Sequence, residues 1–327
     1  MKSLFKHLRV ITGILAVFLL VMPLSGLAAS YPTKPIQLVV SYPPGGGNDL
    51  SARIIAEFAN KHLPQPLVVT NISGGTGTIG ARHVLRAKPD GYTLFWEQPT
   101  MSCQTASGIV DYSYRDFDMI NVVVESTAVC AVNKKLPVKT APELMEYMRK
   151  NPGKVRWPLS FGALSHFLYL YLENGADGEA TVPGRVGNAG DIDRFVKVMG
   201  GHADATCAAV SAVMPYKDDL TIVGVANAKR LDVLPDIPTF REQGIDAIYN
   251  HLYTLFAPKG TPEDVKKILS EAMRKAVEDP ECQAKLTPLF LFPNYLTPEE
   301  GAGKWEAQEN INKQIVEKYN LKEQLSK

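Results

Sequence analysis

Short apolar runs alternate with amphipathic ones along most of the chain. Residues 36–42, IQLVVSY, are of strand length and read as a buried strand. Residues 50–63, LSARIIAEFANKHL, put Ile54, Ile55, Phe58 and Leu63 on one side of a helix. LVVTNI at 67–72 is a second strand, IGARHVLRA at 79–87 a short helix closed by the turn KPDG, and YTLFWEQ at 92–98 a third strand. This β-α-β-α-β order predicts a parallel sheet with helices on its faces. Two β-rich runs, 119–133 and 248–258, are long for single strands. They are expected to carry the chain from one lobe to a second and back. Lobe 1 is then 30–130 plus 251–327, and lobe 2 is 131–250. Within lobe 2, TAPELMEYMRK starts a helix capped by Thr140 with Glu143 completing a capping box. VRWPLS, ADATCAAV and LTIVGVAN supply further strands. Later, TPEDVKKILSEAMRKAVEDP at 261–280 predicts a helix capped by Thr261, with Pro262 in its first turn and Asp264 completing the box. A last helix follows the similar TPEE at 297–300. No internal repeat is present.

The first thirty residues change this picture. Lys2, Lys6 and Arg9 precede a thirteen-residue, mostly apolar run, Val10 to Met22, and small residues follow up to Ala29. That order predicts a cleavable secretory signal over 1–29. The run falls short of the roughly 20 residues a spanning helix needs. The chain is therefore expected to be exported and soluble. Its formal charge of +1 becomes −2 once those three basic residues are removed, which points away from nucleic acid and anionic membranes as partners. The four cysteines, Cys103, Cys130, Cys207 and Cys282, form no CxxC pair and have no histidine at ligand spacing, so no metal site is expected. Buried thiols are the expectation for them, and disulfide connectivity is not readable from sequence.

Three stretches could carry chemistry. PPGGGNDL, 43–50, follows a strand and opens a helix. Its glycines can aim backbone N–H groups in one direction, next to a helix N-terminus, which suits a carboxylate or phosphate. Asp49 is placed to cap that helix. GTGTIG, 75–80, matches the dinucleotide pattern GxGxxG, with Glu97 ending the next strand. It follows the second strand rather than the first and precedes a short helix, so a second glycine turn at the same cleft is the preferred reading. No cofactor is expected. SFGALSH, 160–166, holds Ser160, Ser165 and His166 without a GxSxG elbow. It reads as hydroxyls and N–H groups at another helix start, with His166 packing locally. A less favoured alternative is an exported enzyme using Ser165 and His166.

YPTKPIQLVVSYPPGGGNDLSARIIAE followed by GGTGTIGARHVLRAKPDGYTL resembles the periplasmic solute-binding proteins of tripartite tricarboxylate transporters, the Bug or TctC-like family. The likeness continues through MGGHADA, VANAKRLDVLPDIPTFREQG and LFAPKGTPEDVKKI, in order. It implies a type II periplasmic-binding-protein fold: two α/β lobes joined by two crossover strands, with a ligand cleft between them. It implies a monomeric receptor in the periplasm that grips a small carboxylate, does no chemistry on it, and hands it to integral-membrane permease subunits. A sensor passing the signal to another protein is the alternative use of the same fold. The ligand residues implied are Tyr42, Pro44, Gly45, Gly46, Gly47, Asn48 and Asp49 in the first turn, and Ser160, Phe161, Gly162, Ala163, Ser165 and His166 in the second. The chain departs from the family pattern in SFGALS, which carries fewer glycines. It departs again in VPGRVG, where Gly184 and Arg185 replace a common Tyr and Lys, and around Ala208, where an acid is common.

Overall fold

The computed structural model describes residues 31–159, 162–176, 184–186 and 191–325. The signal-peptide reading of 1–29, and candidates Ser160 and Phe161, lie outside the described residues. For 184–186 only the backbone is described, as strand β6 (Gly184–Val186), so Arg185 enters no argument below.

The predicted β-α-β-α-β opening is present. Strand β1 (Ile36–Val40) lies between β2 (Leu67–Asn71) and β3 (Thr93–Glu97), parallel to both. The connecting helices are α1 (Gly47–Ala59) and α2 (Thr78–Leu85). Alternate side chains of β1 enter different cores, as the two-residue strand period requires. Ile36, Leu38 and Val40 meet Ala52, Ile55 and Phe58 of α1, together with α8 (Glu263–Glu278) and α9 (Pro280–Leu286). Val39 faces the other way, toward Ala81 and Val84 of α2, Met101 of α3 (Thr100–Ser107), and Trp305 of α10 (Pro298–Lys318).

The two long β-rich runs are single strands. β4 (Phe117–Asn133) is 17 residues long, and β9 (Asn250–Pro258) runs antiparallel to its first part. The sheet order there is β10-β4-β9-β3-β1-β2, with β10 (Phe292–Leu296) at the edge. Beyond Thr127, β4 continues between β7 (Ala205–Ala209) and β8 (Leu220–Val225), antiparallel to both. One strand therefore carries two sets of neighbours. Register shifts between Met119 and Asn121, between Val122 and Val124, and between Cys130 and Ala131 let it bend without leaving either sheet. Around its second half, Ala128, Cys130 and Val132 face α4 (Ala141–Lys150) and α5 (Leu164–Gly175). Val129 and Ala131 face α6 (Asp191–Met199) and α7 (Val210–Val213). β5 (Arg156–Pro158) pairs with β6, in parallel. The C-terminal part of α10 joins the core around α5 through Ile315 and Val316, as does Leu321 of α11 (Leu321–Leu325).

Helix starts correct the sequence reading in two places. Helix α8 begins at Glu263 with Pro262 before it and no side-chain cap. Thr261 does not cap: its hydroxyl donates to Pro258 O at 2.8 Å, and its N–H donates to Asp118 Oδ2 at 3.0 Å. Burying the Thr261 hydroxyl under the β9 terminus takes it away from the helix. At α4 only half of the box forms. Thr140 accepts from Glu143 N–H, while Glu143 reaches Lys139 N–H instead of Thr140. The box at Thr297 and Glu300 is complete.

Candidate ligand-binding site

Strands β1 and β3 end side by side, so the residues just past their carboxyl ends share one rim of the sheet. That rim is where open α/β sheets take ligands. Ser41 and Tyr42 follow β1, and Glu97 closes β3. Glu97 is 2% exposed. Burial pushes its carboxyl up to about 8, partly offset by the Gln98 N–H, at 3.0 Å, and by the Ser41 and Tyr42 hydroxyls. Burial and the neighbouring Glu97 also push the Tyr42 hydroxyl well up, so at neutral pH it is a neutral group turned to Glu97 and Thr100. Tyr42 thus braces the floor of the turn with its hydroxyl engaged.

The glycine turn comes next, and its glycines have different reasons. Gly45 has φ +89°, in the region that penalises any side chain. A Cβ on Gly46 would meet nothing within 4 Å. A Cβ on Gly47 would stand 2.6 Å from the Tyr253 hydroxyl and 3.2 Å from Ser211 Oγ. Gly47 is therefore the point where the β1–α1 turn touches α7 and β9, an approach only glycine permits. Pro43 and Pro44 are exposed on the outer side of the turn.

Asp49 departs from the cap expected of it. Helix α1 starts at Gly47, two residues before Asp49, and Gly46 at the cap position offers no side chain. Asp49 reaches backwards: Oδ2 accepts from Gly45 N–H at 2.9 Å, while Arg53 at 3.0 Å and Asn71 at 2.9 Å hold the same carboxylate. Burial alone would raise its pKa. The bonds from Arg53, Gly45 and Asn71 outweigh that and hold it below the usual carboxylate range. Asn71 also donates to Tyr42 O at 3.0 Å, so this clasp ties the turn to the end of β2. The Gly45 N–H is consumed here. The first-turn N–H groups of an uncapped helix remain, at Gly46, Gly47, Asn48 and Asp49.

Asn48 is 7% exposed, and neither Nδ2 nor Oδ1 has a hydrogen-bond partner. Ser211 Oγ and Asn250 Oδ1 are likewise buried and unpaired. Natural proteins seldom leave such atoms unsatisfied. Asn48 adjoins Gly47 on α1, and Gly47 approaches Ser211 of α7, whereas Asn250 lies on the face of β9 opposite Tyr253 and is not part of this group. A molecule with both acceptors and donors would satisfy Asn48 and Ser211.

The second predicted turn opens α5. Gly162 has φ +70°, and its N–H donates to His166 Nδ1 at 3.2 Å. That nitrogen is an acceptor, so the ring is the neutral tautomer with its proton on Nε2. His166 fastens the turn, the local role expected of it. Ala163 caps α5 without a side-chain bond, and Ser165 is buried in the first turn. From α5 a ladder of rings leads back to Gly47. Tyr171 packs on Tyr249 at 5.7 Å, Tyr249 on His251 at 5.6 Å, and His251 on Tyr253 at 6.4 Å. Tyr249, His251 and Tyr253 alternate along one face of the β9 segment, a period-two aromatic pattern readable in YNHLY. Ser211 and Glu97 were missed as site residues, since only the sheet rim and the α7 approach bring them there.

The glycines of GTGTIG have packing duties. Gly77, at φ +99°, lies against Tyr42, with the hydroxyl 3.1 Å from where its Cβ would be. A Cβ on Gly80 would come within 2.8 Å of Ile72 O and 3.1 Å of Ser41 Cα. The second glycine turn thus packs against the start of the first. Among the described residues no cluster of side chains suits a metal ion, and no helix is long and apolar enough to cross a membrane.

Residues 51–321 match the family described as the tripartite tricarboxylate transporter family receptor. A solved periplasmic transporter is 31% identical, with a TM-score of 0.82 over 90% of this chain and 99% of that one. The periplasmic binding protein BugD is 26% identical, with a TM-score of 0.77 over 89% and 99% of the two chains. An R. palustris protein solved with adipate is 25% identical, with a TM-score of 0.79 over 88% and 97%. The architecture is the two-lobed α/β fold of periplasmic binding proteins.

Proposed function

The chain belongs to the tripartite tricarboxylate transporter receptor family, and from that premise we propose that it is an exported receptor for a small organic acid. The acid's carboxylate sits on the first-turn N–H groups of α1, beside the Asn48 amide and the Ser211 hydroxyl. Gly162, Ala163 and Ser165 close the far wall. Integral-membrane permease subunits receive the loaded receptor, and the ligand leaves unchanged. The observation that carries this reading is the set of unpaired buried polar groups where Gly47 meets Ser211. Each can bond a carboxylate or hydroxyl, and ligand contacts to both sides at once favour closure. Arg53 beside the turn is committed to Asp49 and Asn71. The adipate bound by the R. palustris relative makes short dicarboxylates the first probes. Calorimetric titration of the purified chain with dicarboxylates, tricarboxylates, aromatic acids and amino acids tests the proposal, with the recovered ligand analysed for turnover. Saturable binding and intact ligand support it. Product formation, or no binding to any acid, overturns it.

A further inference from the structure

We propose that Cys130 and Cys207 form a cross-strand disulfide in the protein at work outside the cytoplasm. Cys130 on β4 and Cys207 on β7 are directly opposed in an antiparallel pair without register shifts. Asn133 N–H donates to Asp204 O at 2.8 Å, which makes that pair hydrogen-bonded. Counting back in alternation, Cys130 and Cys207 occupy a non-hydrogen-bonded position. There opposed Cα atoms approach to about 4.5 Å and their side chains lie close together. That separation is within the range a disulfide spans, roughly 4.4–6.8 Å. Both side chains share the face covered by α5, as buried free thiols of one core. The other two cysteines have different neighbours: Cys103 Sγ lies 3.6 Å from Asn312 Nδ2, and Cys282 is on α9, in the core it shares with α1 and α8.

Two thiols release two protons and two electrons as the S–S bond forms. The electrons reduce an external disulfide, that of a dithiol oxidoreductase or of oxidised glutathione, to two thiols. Both cysteines are fully buried once folded, so this exchange belongs to folding, before α5 covers the strands. The bond would tie β7 to the long strand immediately ahead of Val210 and Ser211. It would therefore fix the strand that delivers Ser211 to the site.

The test refolds the purified, reduced full chain in oxidised and reduced glutathione. The product is then denatured in excess alkylating agent and mapped by mass spectrometry. This arm does not depend on export or on ligand binding, so its failure is distinct from theirs. The expected product is about 2 Da lighter than the reduced chain, labels only at Cys103 and Cys282, and yields a linked Cys130–Cys207 peptide. Reduction is expected to lower its Tm by roughly 5–10 °C, with no such shift in Cys130→Ala/Cys207→Ala. Four labelled thiols, a different pairing, or the same shift in the double variant would overturn the proposal.

Discussion

Asn48 is a residue whose cost in the free protein and value in the complex are separable. Its amide is buried and unpaired, so it gains nothing from burial without a ligand. Asn48→Ala is expected to leave Tm unchanged or slightly higher, while ligand affinity falls about tenfold or more, the worth of a hydrogen bond to a charged group. Parallel thermal melts and titrations check this. Equal losses in both would make Asn48 a structural residue. Glu97 gives a prediction of opposite kind. Its folded pKa of about 8 lies above its ordinary value, so the folded chain holds a proton that the unfolded chain releases. The associated stability is complete below the ordinary carboxylate range and is lost as pH rises toward about 8. Glu97→Gln cannot titrate, so its Tm should fall several degrees less than that of the wild type between pH 5 and 8. Superimposable pH profiles would contradict the buried, neutral carboxyl.

At the scale of elements, the glycine turn separates two kinds of glycine. Gly46→Val adds a side chain where nothing stands within 4 Å, at a position with ordinary φ of −80°. The fold should hold, with Tm within about 2 °C, while affinity falls at least tenfold because the side chain occupies the acid's place. Gly47→Ala instead drives a Cβ against Tyr253 and Ser211, and is expected to prop α1 away from α7. Its Tm should fall by several degrees along with affinity. A wild-type Tm in Gly47→Ala would contradict the close approach. The strands here were legible as short apolar runs and most helices by their 3.6-residue apolar period: β1, β2 and β3 each fall within the predicted stretch. The boundaries were less legible. Asp49 has the composition of a cap, yet α1 starts two residues earlier, since Asp49 gains more from Gly45, Arg53 and Asn71 together. Helix α3 was not foreseen, because TMSCQTAS has no clear apolar stripe. The first turn was readable from its glycines. Ser211 was not, because a lone serine after a strand becomes meaningful only when the fold sets it against Gly47.

The whole molecule is organised by strands that serve both halves of it. β4 is hydrogen-bonded to β9 and β10 in its first part and to β7 and β8 in its second, so movement between the halves bends this strand, where its irregular registers lie. The site groups are distributed across the same divide, with Asn48 on α1 and Ser211 on α7. A ligand bonded to both sides lowers the energy of the closed arrangement by its contacts there and by nothing else. Direct calorimetric titration of the purified chain with small organic acids, adipate among the first, tests this account most plainly. The account predicts a saturable one-to-one isotherm with at least one of them. A flat titration for every acid up to concentrations on the order of 1 mM, where even weak binding near −4 kcal/mol would register, would contradict it.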